Sequence, residues 1–204
     1  MYQDIINILY SVAVVFDSKR YDGMTEAFEE FIFSIPGMIP DSSFRDAYVS
    51  YIQTVLLPKP DTDRLFKWVY NLNVTVAKAT KSYVPTFKQV KLRWSPDNFD
   101  KTTWAHPLWR FIHASTSLMG PNPSNTTLEV FKQFMYALQK VIPCPKCSKH
   151  LEEKLSDECS MNCCFEKSSS PFMWSIDLHN CVNRDTGRPI FPISKALELY
   201  GDVM

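Results

Sequence analysis

Cys144 and Cys147 stand two residues apart in the stretch PCPKCSKH, Pro143 to His150. That spacing supports three chemistries: half of a zinc site, a pair that cycles between dithiol and disulfide, or two inert thiols. Pro143 stops one helix, and Pro145 suits the first turn of the next, with Cys144 at or near the N-cap. Three residues apart on a first helical turn, the two sulfurs lie on one side and within disulfide reach. The positive end of the helix lowers a thiol pKa there, and Lys146 and Lys149 add charge of the same sign. A zinc ribbon asks for a second C-x-x-C, which the chain does not have. What it offers is His150 and the irregular cluster Cys159, Cys163 and Cys164 in the loop SDECSMNCCFEKSSS.

The chemistry-bearing residues are confined to one half. All six cysteines and all four histidines lie beyond position 104, and residues 1–100 contain neither type. Lysine plus arginine and aspartate plus glutamate both number 22, so no basic field recruits nucleic acid and no charged tail is present. The N-terminal run MYQDIINILYSVAVVF carries Asp4 where a secretion signal is basic, and reads as a buried or amphipathic helix. No stretch is long and apolar enough to span a membrane. The expectation is a soluble intracellular protein.

The elements that must position these residues are helical. Apolar spacing predicts helices over about 4–17, 23–35, 42–57 and 62–82, with Ser42 and Asp61 as N-caps, and a linker over 83–100. It predicts further helices from Thr103 to Met119, from Thr126 with Glu129 as a capping box, from Cys144 to Leu155, from Pro171 to Arg184, and from Pro192 to about Gly201. No strand pair and no repeat is visible. The fold class is all-α, in two units: a helical N-terminal domain over 1–95 and a helical domain over 96–204.

Two more constellations flank the C-x-x-C. WAHPLWRFIH supplies Trp104, Trp109 and His113; WSIDLHNCVN supplies Trp174, His179, Asn180 and Asn183. Trp109 and His113 are four apart, as are His179 and Asn183, so each pair shares a helix face. A single Trp or His on an apolar face is usually core. Aromatic faces, imidazoles and amides converging from three segments beside a dithiol can instead hold a large flat cofactor with a polar tail.

In this order and on helices, these motifs resemble the FAD-linked sulfhydryl oxidases of the Erv/ALR family, which read W-G-x-x-x-W-x-x-x-H, then C-x-x-C, then H-N-x-V-N. The resemblance covers about 100–200 and looks most like the enzymes of large DNA viruses. Their baculovirus branch has an extra helical N-terminal region, a degenerate copy of the oxidase fold, which residues 1–95 would match. Ala105 stands in place of the usual glycine, and Arg188 where lysine is common. The resemblance implies a bundle of four helices plus one, binding FAD. It implies that Cys144 and Cys147 are catalytic, with Cys147 facing the flavin and Cys144 exchanging with substrate. Electrons would pass from thiol-bearing protein substrates to O2, giving hydrogen peroxide. Trp104, Trp109, His113, His150, Trp174, His179, Asn180, Asn183 and Arg188 would hold the FAD, with Arg188 toward its phosphates. Cys159, Cys163, Cys164 and Cys181 are candidates for a shuttle or structural disulfide, and Cys181 also reads as a plain buried thiol. A homodimer is expected and, for a viral chain, a site of action in host cytoplasm, nucleus or virion. The competing class is a zinc-stabilised helical adaptor using Cys144, Cys147, His150 and the 159–164 cysteines.

Overall fold

The computed structural model describes residues 2–15, 24–58, 62–95, 98, 101–156 and 170–201. Among these every regular element is a helix: α1 (Tyr2–Val15), α2 (Met24–Ser34) running into a 3-10 turn (Ile35–Met38), α3 (Ser42–Thr54), α4 (Thr62–Ala79), α5 (Phe87–Arg93), α6 (Lys101–Leu118), α7 (Asn125–Val141), α8 (Pro145–Ser156), α9 (Pro171–Asp185) and α10 (Ile193–Tyr200). The all-α expectation holds.

Local chemistry sets the boundaries. The N-cap of α3 is Asp41, whose carboxylate accepts from Phe44 N–H, and not Ser42, which is already helical. Likewise α7 is capped by Ser124, which accepts from Thr127 N–H, and the proposed Thr126–Glu129 box lies inside the helix. The predicted cap Asp61 falls outside the described residues. The expected linker over 83–100 contains α5, begun by a true capping box between Thr86 and Gln89. Seven residues are too few to hold a helix on propensity alone. Burial of Val90 and Trp94 supplies the rest, with Trp94 set against Tyr10 at 5.7 Å between ring centroids.

One buried cluster runs through both halves of the chain. α2 packs along α7, and α1 lies between α4 and α6. That placement explains why α1 is buried almost all round, from Asp4 to Ala13. Its one carboxylate is met by Arg110 of α6, whose Nη2 and Nε donate to Asp4 Oδ1 at 2.6 and 3.0 Å. Where the 3-10 turn crosses α7, a Cβ at Gly37 would collide with the Val130 side chain, so the close approach requires glycine. α6, α7, α8 and α9 then frame the functional site, with α10 laid against α6. Among the described residues no helix is long and apolar enough to cross a membrane.

Candidate active site

α7 ends at Val141 and Pro143 blocks its continuation, so the chain turns and restarts at Pro145. Cys144 occupies the cap of the new helix: its carbonyl accepts from Ser148 N–H at 2.9 Å, and its Sγ accepts from Cys147 N–H at 3.3 Å. Cys144 and Cys147 form a disulfide, with Cα atoms 5.2 Å apart. Ser148 Oγ donates to the Gln139 carbonyl at 2.6 Å and pins α8 to the end of α7. The amide at Cys144 Sγ and the helix dipole both favour a thiolate there once the disulfide opens.

Beside the disulfide is a cavity of about 680 Å³, a size suited to a large organic ligand. α6 lines it with Trp104, Leu108, Trp109 and Ile112, and α7 with Met135 and Leu138. Its lining also carries charge of both signs, from Lys146, Lys149 and Arg188 and from Glu153 and Asp185. Of the two sulfur-bearing residues, Cys147 lines the cavity and Cys144 does not.

The other expected site residues divide cleanly. Trp104, Trp109, His150 and Arg188 are on the cavity wall. His113, Trp174, His179, Asn180 and Asn183 are not among the residues of that wall. His179 stacks flat on Trp109, with centroids 4.1 Å apart and 7° between planes, and His113 Nε2 is 2.9 Å from His179 Nδ1. Asn180 uses both ends of its amide on the backbone of Phe191: Nδ2 donates to the carbonyl at 3.0 Å and Oδ1 accepts from N–H at 2.8 Å. Trp174 is buried edge-on against Phe131. The Asn183 carbonyl accepts from Arg188 N–H at 2.8 Å, closing α9 around Gly187, whose φ of +66° suits glycine. That turn brings Arg188 back to the cavity.

Three groups escaped sequence reasoning. Ser175 sits at 2.9 Å from His113 Nδ1; its position four before His179, on the same face, was the available signal. Phe191 packs on both imidazoles. Asp185 accepts from His150 Nε2 at 2.8 Å and from Lys154 Nζ at 3.0 Å, tying α9 to α8. Its carboxyl is held below the usual range, chiefly by the His150 bond and then by Lys154. No local pattern announces a pair 35 residues apart.

Cys181 is buried in the core, and its Sγ accepts from Arg184 Nη2 at 3.1 Å. The shuttle candidates Cys159, Cys163 and Cys164 lie outside the described residues. Among the described residues no group of three or more His, Cys, Asp and Glu is placed to hold a metal ion.

Burial pulls His113 down to about 3, helped by the neighbouring charge of His179. Burial pulls His179 down to about 4, with Arg188 and His106 adding to it. Both rings are therefore neutral near pH 7. Unfolding releases them to an ordinary value near 6.5. The unfolded chain then binds more protons, so the stability these groups contribute is complete above about pH 6.5 and is lost as pH falls toward 4 and 3. Urea unfolding followed from pH 7 to pH 4.5 should show a steady loss of stability, reduced in a His113→Phe variant that lacks one of the two protons.

The described residues thus form an all-helical bundle with a disulfide at a helix N-terminus, its Cys147 on the wall of a cavity that Trp104, Trp109 and His150 also line. Residues 106–201 match the Erv1 / Alr family, from α6 to the end of α10 and just under half of the chain. The FAD-linked sulfhydryl oxidase ERV1 of Arabidopsis thaliana is 27% identical over 93 residues, 46% of this chain and 47% of that protein. The mitochondrial FAD-linked sulfhydryl oxidase erv1 of Schizosaccharomyces pombe is 28% identical over 83 residues, 41% and 45% of the two lengths. A probable FAD-linked sulfhydryl oxidase, R368, of Acanthamoeba polyphaga mimivirus is 26% identical over 95 residues, 47% and 66%. The chain spans about half the length of the first of these relatives. No solved structure matches it.

Proposed function

We propose that this chain is an FAD-dependent thiol oxidase that forms disulfides in protein substrates, with residues 96–204 as the oxidase unit. The observation that carries the reading is the placement of the disulfide. Cys147 is on the wall of the cavity and Cys144, half-buried like it, is off that wall, so a single S–S bond links a residue outside the cavity to one that lines it.

The cavity residues fit a flavin dinucleotide. Trp104, Trp109, Leu108 and Ile112 give a flat apolar wall, and Lys146, Lys149 and Arg188 supply cations for phosphates. Bound FAD would supply a two-electron acceptor that O2 re-oxidises, giving hydrogen peroxide. The chain's own part is thiol–disulfide exchange. A substrate thiolate attacks Cys144 Sγ, the Cys144–Cys147 bond breaks, and Cys147 leaves as a thiolate at the cavity wall. A second substrate thiol then displaces Cys144 from the mixed disulfide. The substrate departs oxidised and the enzyme pair holds two electrons. In that step the Cys147 amide stabilises the Cys144 thiolate as leaving group.

Within this reading His113, Trp174, His179, Asn180 and Asn183 act from outside the cavity wall, by holding Trp109 and the 188–192 turn in place. Residues 1–95 form a helical unit that covers α6 and α7, read as a degenerate copy of the oxidase bundle on the baculovirus pattern. Dimerisation, O2 as acceptor, an intracellular setting and a viral source complete the proposal. The resemblance supports the first three, and the mimivirus relative supports the last.

The test is a visible spectrum of the purified protein before and after anaerobic addition of a dithiol. A flavin band that bleaches, returns in air and yields peroxide is the expected result. A colourless protein carrying stoichiometric zinc would replace the proposal with the adaptor reading.

A further inference from the structure

An open groove of about 720 Å³ runs between α2 and α7 and shares no lining residue with the disulfide cavity. Glu26, Glu29, Glu30 and Phe33 fall at i, i+3, i+4 and i+7 on α2, so they form one solvent-facing stripe. Gln133 and Tyr136 of α7 line the same groove. Two aromatic rings stand exposed there, Phe33 at 55% and Tyr136 at 40%. A single exposed ring is ordinary, and a run of carboxylates is usually a solvated face. Two rings from different helices in one groove, bordered by three carboxylates, are neither. Glu30 meets Lys140 Nζ at 3.3 Å, whereas among the described residues Glu26 and Glu29 form no ion pair. Negative charge around apolar rings is complementary to an apolar side chain flanked by lysine or arginine. A second copy of this chain fits less well, because a twofold contact over the groove would bring two acidic patches together.

α7 leads from this groove to the redox pair. Tyr136 is five residues from the helix end at Val141, and Cys144 is three further on. At about 1.5 Å per residue in the helix and about 3.6 Å beyond it, the separation is roughly 18 Å, the reach of about five or six residues of extended chain. We infer that the α2–α7 groove docks the protein substrate. It takes a basic segment with an apolar anchor, the cations toward Glu26 and Glu29 and the anchor at Phe33 and Tyr136, and so brings a cysteine five or six residues away to Cys144. The thiol in this statement rests on the oxidase reading; the basic segment rests on the groove alone. The docked thiolate attacks Cys144 Sγ, Cys147 leaves with the electron pair, and the second thiol of the substrate then displaces Cys144. Residues 1–100 carry neither cysteine nor histidine, yet through α2 they select which thiol is oxidised.

Two synthetic peptides test it on the full chain as purified: one with a leucine among lysines, and one with glutamate in place of each lysine. Thiol-free and fluorescent, they report binding by anisotropy. Extended by a C-x-x-C dithiol, they report turnover by oxygen uptake, against dithiothreitol as the small dithiol. The lysine peptide should bind at least about tenfold more tightly than the glutamate peptide, and its affinity should fall as salt is added. Glu26→Gln/Glu29→Gln is isosteric and exposed, and should weaken that binding about fivefold, the scale of two exposed ion pairs; Phe33→Ser should do so by a similar factor. KM for the lysine dithiol should rise in step, while kcat and dithiothreitol turnover stay within about twofold. Equal affinity for the two peptides, or binding untouched by Glu26→Gln/Glu29→Gln, would overturn the docking site. Weakened binding with KM unchanged would overturn its part in substrate choice. A wild-type dimer that Phe33→Ser splits in sedimentation, with no peptide bound, would assign the groove to a second copy and overturn both. A wild type that turns over neither dithiol would instead remove the oxidase reading, while the anisotropy still reports on the groove.

Discussion

Cys144→Ser should lower dithiol-driven oxygen uptake by at least about a thousandfold, the scale on which an essential nucleophile is missed, and leave the purified protein yellow. The structure separates the two readouts. Cys144 is not among the residues of the cavity wall, so its loss leaves the expected flavin contacts of Trp104, Trp109 and Arg188 unchanged. Nor should the variant misfold. Cys144 caps α8 by accepting from the Cys147 amide, and serine is among the best side chains for that position. What disappears is the sulfur that a substrate thiolate attacks and the disulfide it shares with Cys147. The check is an oxygen electrode with a dithiol substrate, read against the visible spectrum of the same sample. Turnover at the wild-type rate would sink the role given to Cys144. A colourless variant would mean that the disulfide also shapes the cavity.

The parts of this site that lie on one helix were legible in the sequence, and those made between helices were not. Trp109 and His113 are four apart on α6, and the structure keeps them on one face, with ring centroids 5.6 Å apart. The His179–Trp109 stack depends on how α9 crosses α6, and no spacing encodes that angle. Asn180 is an FAD contact by resemblance, but the partner its amide holds here, the Phe191 backbone, is eleven residues on and beyond a turn. The same divide governs the fold. The stripe of α7 reads from its spacing, and Phe131, Phe134, Met135, Leu138 and Val141 are buried as that spacing requires. α5 was hidden by two prolines and mixed polarity, although Thr86 and Gln89 carried its capping signal. Its stability comes from Trp94 reaching Tyr10 more than eighty residues away, which is tertiary information. The cap positions missed by one or two residues, Asp41 for Ser42 and Ser124 for Thr126, are cases where neighbouring polar residues compete for the same role.

Phe134→Ala should be the most destabilising single truncation of the joint between the halves, at about 3–5 kcal/mol. Phe134 is fully buried on α7, with its ring 5.5 Å from Phe31 of α2 and 5.7 Å from Phe111 of α6. It therefore fills the junction where α2 meets α6 and α7. Truncation leaves a void bounded by three separate helices, which cannot all collapse into it. For a chain of this length, such a loss lowers the melting temperature by on the order of 10 °C. The shape of the transition carries as much information as its midpoint. Because one buried cluster spans both halves, melting followed by far-ultraviolet circular dichroism should remain a single step and move as a whole. Two steps, with only one displaced, would show that the N-terminal helices form an independent unit resting on α7. A shift of less than about 1 kcal/mol would mean that the site relaxes as freely as a surface position. A single displaced transition would tie the stability of the half that holds the Cys144–Cys147 disulfide to helices that carry neither cysteine.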